Sequence, residues 1–450
     1  MTRLTIPEPD ITLYEDGFAG RDLLDRKATG DALSDLVDRI SEPMVIALDG
    51  GWGSGKSFFL RCWVGEHLKR ADNTTQTVYF DAFANDFMDE PLVSLMACLL
   101  ERFEELGPQE KSKLDKAKNI AWKLGPAGLR IAASLATFGA TNHLDELGDV
   151  AVEALGKEIG KSSDSFWRKA QERQGVMEQF REALGALTVG DEGEPRKLVI
   201  VVDELDRCRP DYALALLEII KHFFAVDHVH FVLGVNLREL ENSVKARYGG
   251  EISAGLYLQK FVTLTMGLPD SVDDYDHSSI AIRYFQIRSK DAGIASNQHQ
   301  LIMDLILSYK DKSSVTLRAI QRLIAVLQVS SIPDESNIRE EQVVLTSLAI
   351  LKAWNLRSYK IAKTGQITLV DLEKIFIMNN NLTGVRNEQG RFAFEHFECW
   401  QYYLDPSEHL KMQNNLLGLA APAKEDRIRI LQSNVSKRLE VFRLPSEPPT

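Results

Sequence analysis

The chain has 450 residues, 44% of them hydrophobic and 26% charged, a balance that fits a globular protein with more than one core. A formal net charge of −12 excludes a chain that coats nucleic acid nonspecifically, though it leaves room for a local basic groove. Its four cysteines, Cys62, Cys98, Cys208 and Cys399, lack CxxC spacing or a nearby His pair, which excludes a zinc framework and a disulfide scaffold.

The opening MTRLTIPEPD has no charged-then-apolar signal pattern, so with the cysteine usage it predicts a cytoplasmic protein. The first β-type run, Val45–Leu48, leads into Asp49 and then into GGWGSGKS. Gly50-x4-Gly55-Lys56-Ser57 satisfies G-x-x-x-x-G-K-[ST]. A strand delivers the chain, glycines let backbone N–H groups curl around phosphate oxygens, and a helix opening at Lys56 aims its positive dipole end at the anion. Lys56 then supplies charge to β/γ-phosphates and Ser57 a hydroxyl to Mg²⁺. The stretch Gly50, Gly51, Trp52, Gly53, Ser54, Gly55, Lys56, Ser57 and Phe58 is therefore the candidate nucleotide-binding segment. Trp52, at the apex, is expected to pack on the base or on a neighbouring element rather than on phosphate.

A second run, Thr77–Phe80, ends at Asp81 and is followed by a helical stretch, Leu92–Glu105. The next strand signal comes more than a hundred residues later, far more than one crossover needs, so a helical insertion is expected over about 105–190. Ile131–Leu144 is apolar-leaning, but it falls short of the ~20 residues of a spanning helix, and no membrane span is expected.

KLVIVVDELDRC, residues 197–208, is an apolar strand ending in paired acids. Asp203 is placed to hold Mg²⁺, and Glu204 to orient and deprotonate an attacking water. A capping or ion-pairing role is the competing reading for Glu204, and Asp206 competes to cap the helix over Tyr212–Phe224. The run Val229–Val235 ends at Asn236, either a sensor of the γ-phosphate and lytic water or a turn residue. Arg207 and Arg209 are candidates to reach a neighbouring subunit's nucleotide, and Arg318 and Arg322, one helical turn apart, to close over phosphates as a lid. A surface salt bridge is the alternative for each. His222, His228 and His230 lack metal-ligand spacing and read as buried or capping histidines.

Phe261–Met266 is the last expected strand. After Pro269, helical periodicity covers Ser278–Ser289, Gln300–Tyr309 and Ser314–Leu327, and SSIPDESN at 330–337 reads as a linker. The remainder is helical, with turns at NNNLTG and around Gly390; the aromatic run 392–403 is a core segment or a partner-docking surface.

GGWGSGKS, VVDELDRC and YLQKFVTLTMGLP, in this order, resemble the KAP family of P-loop NTPases. The stretches 22–37, VYFDAFANDF at 78–87 and FVLGVNLRELENSV at 231–244 agree with that pattern, so the likeness runs from about residue 22 to 327. Asn236 stands where an aspartate is common, and Glu204 where many relatives have a second aspartate. The resemblance implies an α/β fold: a P-loop NTPase core of parallel sheet and flanking helices, of the additional-strand, catalytic-glutamate type. A helical insertion and a helical C-terminal region complete it. The expected domains are a core over 1–267, a lid over 268–335 and a C-terminal helical domain over 336–450.

ATP with Mg²⁺ is the implied substrate and cofactor, and self-association the implied state. Family members that exclude phage imply a defence role beside a separate effector, since no HExxH, Ser-His-Asp or nuclease-like pattern lies outside the core. The alternatives are a nucleotide-gated scaffold with little turnover and a DNA-acting motor. The acidic balance and the lack of basic-aromatic stripes disfavour nucleic acid as a partner.

Overall fold

The computed structural model describes residues 10–71, 73–88, 91–106, 181–182, 184–190, 193–222, 226–269, 271–273, 276–294, 296–330, 339–379, 388–405 and 424–440. Most of the expected insertion, of the 330–337 linker and of NNNLTG lies outside them. The chain divides into two units, one of Ile11–Gly51 and Gly55–Pro269, the other containing Trp52–Ser54 and the described residues beyond 270.

The first unit is built on five strands, β1 (Met44–Asp49), β2 (Gln76–Asp81), β3 (Leu198–Asp203), β4 (Val229–Val235) and β5 (Leu264–Gly267). They run in the order β2-β3-β4-β1-β5, every neighbouring pair parallel. Strand β4 thus lies between the strand entering the glycine-rich loop and the strand carrying the acid pair. The first four expected strands form as read. The fifth is shorter than Phe261–Met266: the chain still turns at 261–263, and Phe261 is buried in the core instead.

Both faces of the sheet are covered, so the strands are continuously apolar while successive side chains serve different layers. Val45, Ala47, Val78, Phe80, Ile200, Val202, Phe231 and Leu233 pack on one side. There they meet α3 (Pro91–Glu105), α4 (Pro210–His222) and α5 (Leu237–Tyr248), through side chains such as Leu99, Leu217 and Leu240. Met44, Ile46, Leu48, Tyr79, Val199, Val201 and Val232 face the other side, against α1 (Lys27–Arg39) and α2 (Lys56–Leu68). A short helix, α6 (Ala254–Leu258), precedes β5.

Local chemistry sets the ends of α1. The Asp22 carboxylate accepts from the N–H groups of Arg26 (2.9 Å) and Lys27 (2.8 Å), capping the N-terminus. At the other end Lys197 Nζ donates to the carbonyls of Val37 and Ile40, complementing the helix dipole. Strand β2 is the sheet edge, and side chains occupy its outward backbone groups. Tyr79 N–H donates to Tyr14 Oη (3.0 Å), while Arg102 Nε and Cys98 Sγ donate to the carbonyls of Thr77 and Tyr79. The Arg102 guanidinium also stacks 3.6 Å from the Tyr14 ring centre. An edge filled in this way cannot template pairing with another strand.

Beneath the sheet, Trp63 Nε1 donates to Ser34 Oγ (3.0 Å), which leaves Ser34 to donate to His67 Nδ1 (2.9 Å). His67 and His230 are fully buried, and that desolvation lowers each to about 4. Each is neutral in the native protein and takes a proton in the unfolded chain below about 6.5. Between those values the unfolded state binds more protons. Stability should therefore be full above pH 6.5 and fall by on the order of a few kcal/mol as the pH drops to 4. Urea denaturation at pH 7.5, 6 and 5 checks this; a midpoint that holds or rises on acidification is the contrary result.

The second unit is described by itself. A two-stranded antiparallel ribbon, β6 (Ser271–Asp273) and β7 (Asp276–Ser279), precedes its helices. The polar sequence here shows no strand periodicity, because a two-stranded ribbon pairs through its backbone and needs no apolar face. The helices are α7 (Ile280–Asp291), α8 (Ser296–Ser308), α9 (Leu317–Val329), α10 (Arg339–Trp354), α11 (Leu356–Ala362), α12 (Leu369–Ile375), α13 (Glu388–Leu404) and α14 (Lys424–Arg438). Gly390, expected at a turn, lies in the first turn of α13. The aromatic run 392–403 is core: Phe392, Phe397, Trp400 and Tyr403 are buried. His396 is buried with them, its Nε2 3.0 Å from Ser347 Oγ. Among the described residues no helix is long and apolar enough to cross a membrane.

Candidate nucleotide site

The carboxyl ends of β1, β2 and β3 place Asp49, Asp81 and Asp203 on one edge of the sheet, where ligands bind in parallel α/β folds. The loop from β1 to α2 bends through Gly53 (φ 81°) and Gly55 (φ 88°), left-handed values that favour glycine. Helix α2 begins at Lys56 with no side-chain cap, so its first N–H groups are donors for an anion.

Lys56 is 8% exposed, and its ammonium donates to the carbonyls of Gly50 and Gly51. Burial lowers its pKa, while the carboxylates of Asp206, Asp203 and Asp49 act in the opposite sense. The sequence offers Asp206 as a helix cap. In the structure it lies in a 3₁₀ turn, Leu205–Arg207, and leads the acids that act on Lys56. Asp49 accepts from Leu237 N–H (2.9 Å), tying the start of α5 to the end of β1.

Ser57 joins the two halves of the site, its Oγ donating to Glu204 Oε1 at 3.3 Å across 147 residues of sequence. Asp203 is 1% exposed. Its Oδ1 accepts from Glu204 N–H (2.9 Å) and its Oδ2 from Tyr79 Oη (2.6 Å). Burial raises the Asp203 pKa, opposed by hydrogen bonds from Tyr79 and Ser57. Glu204 is raised as well, first by burial, with Arg207 the main opposing influence.

Glu204 also has φ 59°, an uncommon conformation for a side chain with a Cβ. Strain of this kind gathers where the surroundings must present a group in one direction. Gly234 explains part of the crowding. It pairs with Asp203 in the sheet, its carbonyl accepts from Glu204 N–H (3.1 Å), and a Cβ there would stand 2.4 Å from Asp203 Oδ1.

Arg207 lies in the site and Arg318 beside Gly53 of the loop, while Arg209 and Asn236 make local structural contacts. Arg207 forms an ion pair with Glu204 in its own chain, Nη1 to Oε1 at 2.9 Å. Arg209 clamps the turn after β2, its guanidinium donating to the carbonyls of Asp86 and Met88. Asn236 caps α5, its Oδ1 accepting from Glu239 N–H at 3.4 Å. Trp52 is half exposed, and Phe58 packs against the core beside α2. Arg318 lies in the first turn of α9, with Arg322 one turn further. Sequence reasoning does not single out Tyr79, whose one signal is its place two residues before Asp81 on a neighbouring strand.

The protein residues present suit a magnesium nucleotide. A buried carboxylate and a hydroxyl, Asp203 and Ser57, stand beside a cationic Lys56 and uncapped helix N–H groups. That is the donor set for a cation shared with phosphate oxygens.

No curated protein matches the chain. Among solved structures it is similar to the Aeropyrum pernix ORC2 protein in its ADPNP-ADP complexes, at 13% identity and TM-score 0.34, covering 92% of this chain and 94% of that one. The ADP form of the same protein gives 13% identity and TM-score 0.32, with 93% and 98% covered. Both likenesses are too distant to bear on function. The model of the KAP family P-loop domain matches residues 26–331. That span takes in the glycine-rich loop, the acid pair and all five strands of the parallel sheet, and the chain belongs to the KAP family of P-loop NTPases.

Proposed function

We propose that this protein is a Mg²⁺-dependent ATPase whose nucleotide cycle drives or gates an oligomeric assembly. The observation that carries this reading is the junction of Ser57 with Glu204, which brings the phosphate loop and the acid pair into one site. Asp203 and Ser57 would hold Mg²⁺, which when bound neutralises charge on the β- and γ-phosphates. Lys56 and the first N–H groups of α2 bind the phosphate oxygens. Glu204 accepts a proton from water as the water oxygen bonds to the γ-phosphorus and the bond from that phosphorus to the bridging oxygen breaks. The raised pKa of Glu204 makes it a better proton acceptor.

One observation favours a slower, switch-like cycle. Glu204 Oε1 is engaged by both Ser57 and Arg207, so the base must be released before it can meet water. In this second reading ATP binding assembles the protein and turnover resets it. The phage-excluding members of the family make anti-phage defence in the cytoplasm, beside a separate effector, the setting we favour. The core over 1–267, a lid over 268–335 and a C-terminal domain over 336–450 remain our division of labour, with Arg318 a lid residue.

Calorimetric titration of Mg²⁺-ATP into the purified full chain tests the reading, followed by mass measurement with a non-hydrolysable analogue. Heat of binding and turnover are expected. Absence of heat with every purine triphosphate sinks it, and assembly with the analogue alone selects the switch.

A further inference from the structure

The chemistry of the site uses Asp203, but nothing in the paired-acid motif explains how a carboxylate this buried keeps one orientation. Its two oxygens have separate holders. Oδ1 is fixed locally by Glu204 N–H (2.9 Å), while Oδ2 is fixed by the Tyr79 hydroxyl (2.6 Å), 124 residues away on the adjacent strand. The second holder is set by the β2–β3 register, which pairs Tyr79 with Val201 and Asp81 with Asp203. A phenol can reach Asp203 only from this register, because a one-residue slip would turn Tyr79 to the opposite face.

Tyr79 is itself over-determined. Its backbone N–H is held by Tyr14 and its carbonyl accepts from Cys98. Arg61, one turn beyond Ser57 on α2, is a cation near enough to act on this hydroxyl electrostatically. The hydroxyl donates to a carboxylate, a charge-assisted bond stronger than a neutral pair. Gly234 lacks the Cβ that would stand 2.4 Å from Asp203 Oδ1, so it leaves the room this orientation of the carboxylate occupies.

We infer that Tyr79 is the positioning residue for the divalent cation: its hydroxyl holds the Asp203 carboxylate in the orientation that receives Mg²⁺ with the nucleotide. The inference rests on the proposed Mg²⁺-nucleotide site. Tyr79 touches neither substrate nor metal in this role and acts through Asp203. Partners of metal ligands of this kind are worth about 10- to 100-fold in metal affinity.

The test is the Mg²⁺ dependence of ATP binding in the full chain, measured calorimetrically in EDTA and across a Mg²⁺ series. Tyr79→Phe, which removes one hydroxyl, is expected to raise the Mg²⁺ concentration at half effect by about 10-fold or more. ATP affinity in EDTA should be unchanged. A Mg²⁺ series that superimposes on wild type overturns the role, and so does an equal loss of affinity in EDTA, which marks a general packing defect. If Tyr79→Phe does not fold, Tyr79→Met decides, since its flexible stem refills the space without the hydroxyl. A shift in the same direction supports the role, and a wild-type midpoint overturns it. Wild-type ATP affinity that ignores Mg²⁺ would instead remove the underlying site reading, a result distinct from failure of Tyr79 alone.

Discussion

Glu204→Gln is expected to bind Mg²⁺-ATP as tightly as the wild type while losing about 10²- to 10⁴-fold in kcat, the usual worth of a positioned acid–base group. The amide keeps the length and the acceptor oxygen of the side chain, so the contact with Arg207 Nη1, 2.9 Å in the native chain, can persist. It cannot take a proton. The left-handed backbone at this residue aims the side chain away from the run of β3, toward Ser57 on the phosphate-loop side. That direction is what a water-activating group needs, and a helix-capping or surface-pairing acid does not. Single-turnover measurement of phosphate release, beside calorimetry of the same sample, separates the outcomes. Unchanged turnover would assign the carboxylate at 204 to a structural role and move the base elsewhere.

Lys56→Ala should have the other large effect, removing detectable ATP binding and lowering turnover on the order of 10²- to 10³-fold or more. The argument is electrostatic. Lys56 is nearly buried, and its charge is favoured by Asp206, Asp203 and Asp49. Without it, those carboxylates are left facing one another and any incoming triphosphate, in surroundings where charge is weakly screened. Its bonds to Gly50 and Gly51 also brace the loop, so Lys56→Met, which keeps the stem, is the useful companion. Equilibrium binding of ATP with Mg²⁺ checks both variants. Binding retained by either would mean that the loop amides suffice and that the lysine is not the phosphate clamp.

These two candidates are legible in the amino-acid order because the chemistry proposed for them rests on contiguous residues. A lysine directly after glycine and before serine, and paired acids directly after five apolar residues, need only one strand or one helix end to be correctly aimed. The runs that become strands are equally plain, since a parallel sheet covered on both faces demands uninterrupted apolar segments. Periodicity alone is a poorer guide. Phe261–Thr263 has a strand-like pattern but turns, and the 271–279 ribbon has no apolar alternation to reveal it. Gly390 reads as a break but opens a helix, whose first turn tolerates glycine because its N–H groups need no helical partner.

By itself, then, the amino-acid order determined the phosphate loop, the acid pair and the alternation of strands and helices, all properties of neighbours along the chain. Only the tertiary structure decided which distant side chains serve them: Tyr79 on Asp203, Asp206 on Lys56, and Gly234 making room for a carboxylate. The reason is register. Each of these contacts depends on which strand lies beside which, and on the alignment of the pair to within one residue. Local propensity does not encode that alignment, because it is settled by burying both faces of the sheet at once.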